Sequence, residues 1–184
     1  MSEAMKRVFA DRSEYLGDPD FVNVPISALL DSSFLAKRMS TFDPEKATNP
    51  NDVKPGPLDF RESRQTTHYC VADSAGNMVA ITTTLNHGFG SKLAVEGAGF
   101  LLNNEMDDFS AKANAPNAFG LLGGSANRIQ PKKRMLSSMT PTIVLRNGKP
   151  YFAVGAPGGP TIITRVFQVI TNVIDYGMNI QDAV

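Results

Sequence analysis

The 184-residue sequence has one cysteine, Cys70, and two histidines, His68 and His87. A single thiol excludes an internal disulfide and a cysteine-based zinc site, and two imidazoles are too few for a histidine-rich metal centre. An excess of either charge is also missing: 18 Lys and Arg balance 18 Asp and Glu. That balance argues against a nucleic-acid or anionic-membrane partner recognised by bulk charge. No uninterrupted apolar run reaches membrane-spanning length. The opening MSEAMKRVFADRSEYLGDPDF is polar and helical, with no apolar core of a signal peptide. What is present, 42% apolar and 20% charged residues, suits one globular domain with a sizeable core.

The organising stretch is residues 65–90, QTTHYCVADSAGNMVAITTTLNHGFG. Residues 66–72 are rich in β-branched and aromatic side chains, residues 73–77 form a turn cluster with a glycine, and residues 78–85 are again β-prone. The pattern predicts a hairpin. Thr66 and Thr67 open its first strand and Thr82, Thr83 and Thr84 close its second, so the two hydroxyl clusters are expected side by side. Threonine also favours strands for packing reasons alone.

Upstream, residues 3–15 read as a short helix with Ala4, Val8, Phe9 and Tyr15 as its apolar members, stopped by Leu16-Gly-Asp-Pro-Asp20. Residues 25–30 and 32–39 suggest two more helical pieces. The proline-rich run 40–58 is a loop that leads into the threonine hairpin, as an exposed, cleavable junction would. Downstream, Phe100-Leu-Leu102 reads as a short buried strand, followed at once by the amide and carboxylate cluster Asn103-Asn-Glu-Met-Asp-Asp108. That cluster is a candidate pocket wall or a solvated turn. Residues 110–133 form a long Gly/Ala/Asn/Pro loop. A second hairpin joins residues 140–145 and 150–154 through Arg146-Asn-Gly-Lys149. A helix over about 161–176 places Ile162, Val166, Phe167, Ile170, Val173 and Ile174 toward a core, and the last eight residues begin another helix.

Several residues could carry chemistry. Gly158 and Gly159, between a strand and a helix, could aim two backbone N–H groups at an anion or could simply make a tight turn. Ser137 and Ser138 offer two hydroxyl donors. Asp108 could hold a cationic amine with help from Glu105. Thr66 would be a nucleophile if the chain were cut before it, because a new N-terminal threonine carries its own base in the freed α-amino group.

Taken in order, ADRSEYLGDPDF (residues 10–21), QTTHY (65–69), LLNNEMDDFSAK (101–112), KRMLSSMTPTIV (133–144) and GAPGGPTIIT (155–164) resemble the γ-glutamyltransferases, the glutathione hydrolase family of N-terminal-nucleophile enzymes, in their bacterial form. The resemblance implies an α+β fold, a four-layer αββα sandwich of which this chain supplies part. It implies a precursor cut between Gln65 and Thr66, with residues 1–65 ending the large subunit and residues 66–184 beginning the small one. Thr66 is then the nucleophile, and Thr84 supports it. Asn86, Glu105 and Asp108 hold the substrate α-amino group, Ser137 and Ser138 contact its α-carboxylate, and Gly158 and Gly159 form the oxyanion hole. His68 and Cys70 read as structural, and His87 as a loop residue at the pocket edge. The resemblance implies no cofactor and no metal. The implied partners are a γ-glutamyl substrate such as glutathione and the rest of the large subunit, in a periplasmic or secreted protein. No residue here matches the family's carboxylate-pairing arginine. Two other functions fit the same residues: an amidase of the cephalosporin-acylase type, and an inactive fragment or interaction module.

Overall fold

A computed structural model describes residues 1–49, 52–53, 66–112, 115–118 and 120–184. The chain divides into two compact units, one of residues 1–60 and 106–136, the other of residues 61–105 and 137–184. Gln65, and residues 50–51 and 54–58 of the proline-rich run, lie outside the described residues. No helix among the described residues is long and apolar enough to cross a membrane.

In the first unit, helix α1 (Ser2–Tyr15) is followed by α2 (Ile26–Leu29) and α3 (Ser32–Met39). The buried face of α1 differs from the expected one. Val8 and Tyr15 are exposed, and Arg7, Phe9, Ala10, Arg12 and Ser13 are buried. Buried arginine is tolerated because its donors are satisfied. Arg7 Nε donates to the Arg38 carbonyl at 2.7 Å, Nη1 donates to the Glu3 carbonyl and Oε2 at 2.8 Å, and Nη2 donates to Thr41 Oγ1 at 2.9 Å. Asp31 caps α3 by accepting from the backbone N–H groups of Ser33 and Phe34. Just past α1, Gly17 lies so close to the Ala126 carbonyl that a Cβ would stand 2.8 Å from its carbon.

Beyond the loop, Asp18 (4% exposed) accepts from the Arg134 backbone N–H at 2.8 Å, Nε at 3.1 Å and Nη2 at 2.6 Å. The long loop 110–133 has, among its described residues, a short 3-10 turn, Ser125–Asn127, and isolated bridges. It is tied to α1 by the Gly124 N–H, which donates to the Ser13 carbonyl at 2.9 Å.

The second unit is built on two hairpins. Strands β1 (Thr67–Ala72) and β2 (Met78–Thr83) pair antiparallel, with Thr67 opposite Thr83 and His68 opposite Thr82. Asp73 organises the turn by accepting from the backbone N–H groups of Ala75 and Asn77, both at 2.9 Å. Strands β3 (Thr142–Arg146) and β4 (Lys149–Val154) turn at Asn147 and Gly148, whose φ angles of 54° and 75° fit a type I′ turn. A 3-10 turn, Gly159–Thr161, then leads into α4 (Ile162–Ile174), and α5 (Ile180–Ala183) closes the chain. The core gathers Val154, Ile162 and Val166, with Met139, Phe152, Ala156, Val169 and Ile170 against them.

Two expectations in this unit fail. Phe167 and Ile174 point away from the core and are about half exposed, because Ile162, Val166 and Val173 define the inward stripe of α4. Residues 100–102 are not a buried strand. They fold back on residues 93–95 through the Val95 N–H to the Phe100 carbonyl and the Leu102 N–H to the Leu93 carbonyl, both 2.9 Å. Gly97 and Gly99, both at positive φ, make that return possible, and it leaves Phe100 and Leu102 exposed.

Candidate active site

The β1–β2 register decides the placement of the threonines. Thr67 opposite Thr83 is the last strand pair. Thr66 directly precedes the first strand of this pair and Thr84 directly follows the second. Thr66 is buried at 9% exposure, directly before β1. Thr84 Oγ1 accepts the Asn86 N–H at 3.0 Å, which turns the chain out of the strand. Asn86 itself is 4% exposed at a φ of 74°, a left-handed conformation that asparagine tolerates better than most residues.

A residue that sequence reasoning left inside a cluster holds this turn. Asn104 accepts the Asn86 Nδ2–H through its carbonyl at 3.2 Å and the His87 N–H through Oδ1 at 3.1 Å, and its own N–H donates to the Leu85 carbonyl at 3.2 Å. Glu105 follows at the head of the 3-10 turn Glu105–Asp108. Burial pushes the Glu105 carboxyl above its ordinary pKa. Asn104 and Glu105 are half-buried, while Asn103 and Met106 beside them are exposed. His87 contributes its backbone to the turn. His68 Nδ1 lies 2.9 Å from Thr82 Oγ1, and Nε2 lies 3.1 Å from Sγ of the exposed Cys70.

The glycine pair takes a conformation that side chains resist. Gly158 has a φ of 132° and Gly159 a φ of 54°, and a Cβ at Gly158 would stand 2.7 Å from Thr161 Oγ1. The Gly158 carbonyl accepts from both the N–H and the hydroxyl of Thr161. Neither the Gly158 nor the Gly159 N–H donates to an acceptor among the described residues. The turn is made on the carbonyl side. Ser137 Oγ accepts the Met139 N–H at 3.1 Å; Ser137 is exposed and Ser138 half-buried.

Asp108 belongs to the first unit. It lines a cavity of about 130 Å³ together with Arg12, Ser13, Asp107, Ser110 and Asn127. Arg12 is 8% exposed. Burial brings its pKa down to about 10, opposed by the attraction of the Asp108 carboxylate. Nothing in the sequence singled out Arg12, since an arginine in a helix is usually solvated.

Solved structures resemble this fold. Cephalosporin acylase from Bacillus halodurans matches 96% of this chain and 29% of its own, with a TM-score of 0.73 and 27% identity. A Thr-to-Ala mutant of Helicobacter pylori gamma-glutamyltranspeptidase matches 64% of this chain and 63% of its own, with a TM-score of 0.62 and 62% identity. Together with the mixed helices and hairpins, these likenesses put the chain in the α+β class of N-terminal-nucleophile hydrolases.

Within that class the chain belongs to the gamma-glutamyltranspeptidase family, whose sequence model matches residues 1–184. It is 52% identical, over 183 residues, to the glutathione hydrolase proenzyme of Escherichia coli (strain K12), covering 100% of this chain and 32% of that protein. It is 36% identical, over 184 residues, to the Acylase ACY 1 proenzyme of Pseudomonas sp. (strain SE83), covering 100% of this chain and 30% of that protein. The chain thus spans about a third of the length of these relatives.

Proposed function

We propose that this chain carries the nucleophile of a γ-glutamyltransferase, a glutathione hydrolase that is made as a precursor. The observation that carries the reading is Thr66, buried at the head of β1 and one register step from the pairing that sets Thr67 opposite Thr83. The relatives support it by name: "proenzyme" is the word attached to the Escherichia coli glutathione hydrolase. A solved acivicin-inhibited gamma-glutamyltranspeptidase, 62% identical, is described with critical roles for its C-terminus in autoprocessing and catalysis.

In this reading Thr66 Oγ attacks the Gln65 carbonyl carbon, the C–N bond to Thr66 breaks and the freed amine takes up the hydroxyl proton, and water then hydrolyses the resulting ester to a Gln65 carboxylate and the restored Thr66 hydroxyl. That amine, with an ordinary pKa near ~8, then takes the proton from its own hydroxyl when Oγ attacks the γ-carbonyl of a substrate. Thr84 orients the nucleophile. The Gly158 and Gly159 N–H groups stabilise the oxyanion. The leaving amine departs with a proton, and water or an amino acid or peptide amine takes the γ-glutamyl group from Thr66. Asn86, Glu105 and Asp108 hold the α-ammonium, and Ser137 and Ser138 hold the α-carboxylate. The rest of the large subunit is the protein partner, and the complete protein works in the periplasm or is secreted.

The Acylase ACY 1 identity favours a second reading, an amidase that keeps Thr66 and acts on acyl groups lacking the amine. The higher identity to the glutathione hydrolase ranks it second. Intact mass of the purified full-length protein tests the first step: two species split at Gln65–Thr66 are expected, and Thr66→Ala should leave one. Two subunits from Thr66→Ala would overturn the assignment.

A further inference from the structure

We propose that Asn127 is a positioning residue for amine recognition, its side-chain amide holding at once the main chain of Asp108 and that of Leu136, the residue before the serine pair. The inference rests on the reading of Asp108 as the acceptor for the substrate ammonium. Asn127 is 5% exposed, at the end of the short 3-10 turn in the long loop. Its Nδ2 donates to the Asp108 carbonyl at 2.7 Å. Its Oδ1 accepts the Leu136 N–H at 3.0 Å. Its own carbonyl accepts the Ser110 N–H at 2.9 Å, which holds the chain two residues after Asp108 as well.

A planar amide offers a donor and an acceptor on separate atoms at a fixed spacing, so one short side chain can hold two main-chain groups at once, whereas a serine hydroxyl is too short to reach both. A carboxylate lacks the donor, and an aliphatic side chain lacks both. The first bond falls on the backbone of the residue whose carboxylate is at work, so losing it lets that carboxylate shift. Misplacement of a binding group by about 1 Å can cost on the order of a hundredfold. Arg12 and Ser13 line the same cavity as Asp108.

The full-length, processed protein tests this with two anilides: γ-glutamyl-p-nitroanilide, and glutaryl-p-nitroanilide, which is the same molecule without the α-amino group. The ratio of their kcat/KM values reads amine recognition alone. Asn127→Leu, and the milder Asn127→Ser should the first fail to fold, are expected to cut that ratio about tenfold or more. The change should come through KM for the γ-glutamyl substrate, with the glutaryl rate, which keeps the carboxylate contact beyond Leu136, falling much less. A merely structural role would lower both substrates together, and an unchanged ratio in either folded variant overturns the proposal. Asp108→Asn is measured alongside. If it collapses the ratio while the Asn127 variants keep it, Asn127 alone is refuted. If Asp108→Asn also leaves the ratio at the wild-type value, the reading of Asp108 falls and the proposal with it.

Discussion

The imidazole of His68 occupies the space where a side chain at Gly155 would go. A Cβ built on Gly155 would overlap the ring and lie 2.7 Å from its Cγ. The same ring is held by Thr82 Oγ1 at 2.9 Å, on the strand paired with its own. Gly155 directly follows β4, so this one contact locks the end of the second hairpin against the first, two residues from Thr66.

Gly155→Ala should therefore destabilise the complete protein by about 1–3 kcal/mol, the ordinary cost of overpacking, through displacement of His68. A double-mutant cycle with His68→Ala checks the cause. The cost of Gly155→Ala should shrink markedly when the ring is absent. Equal losses of Tm in both backgrounds would mean that the contact is not what excludes a side chain at Gly155.

Asp18 leads to a pH prediction. Its hydrogen bonds from Arg134 hold the carboxyl well below the usual carboxylate range, and the same pairing raises Arg134. A depressed folded-state pKa means stability that is fully present above the unfolded value, near ~3.9, and is lost as pH falls through the folded one. Tm should be nearly flat from neutral pH to about 5 and fall steeply below about 4. Asp18→Asn should start lower at pH 7 and show a shallower acid limb. An acid limb as steep as wild type would remove Asp18 as its source.

Ser110 and Gly123 form a tight pair beside the cavity. Ser110 is 8% exposed, and its hydroxyl has no hydrogen-bond partner among the described residues. A Cβ on Gly123 would overlap that hydroxyl and lie 2.9 Å from Ser110 Cβ. Leaving a buried hydroxyl unpaired costs about 1–3 kcal/mol, so Ser110→Ala should raise stability. Gly123→Ala should lower it. Denaturant midpoints of the two variants test both signs, and a Ser110→Ala midpoint below wild type would show that the hydroxyl is partnered in solution.

Gly159 is the position where turn and catalysis can be separated. At a φ of 54°, an alanine costs about 1 kcal/mol in backbone strain, which lowers Tm on either reading. If its N–H also stabilises the oxyanion, tilting it should lower kcat by roughly a hundred- to a thousandfold with little change in substrate affinity. Both quantities are measured on one preparation of the processed protein. A normal kcat with a lowered Tm would leave Gly159 as a turn residue only.

Local chemistry was enough to locate most elements. Alternating β-branched residues, the Asp73–Asn77 turn cluster and Asn147-Gly148 specify both hairpins, because those signals act over a few residues and need no partner from elsewhere. Helical spacing likewise located α1 and α4. Which face of each helix is buried did not follow from polarity. Arg7 and Arg12 go inside, where Glu3, Arg38 and Thr41 satisfy Arg7 and the Asp108 carboxylate attracts Arg12, while Val8 and Phe167 stay outside. Apart from Glu3, one turn before Arg7 in the same helix, those partners come from distant parts of the chain, and the local pattern does not contain them. The same holds for the candidate site. Thr66, Thr84 and the glycine pair stood out by type and position, whereas the roles of Asn104, Asn127 and Arg12 arise only from hydrogen bonds and burial that folding creates. Local sequence was enough for the two hairpins and the main helices, and it marked the candidate groups. Tertiary structure decided which polar side chains are buried to hold them, because a buried amide or guanidinium is stable only where distant backbone groups meet it.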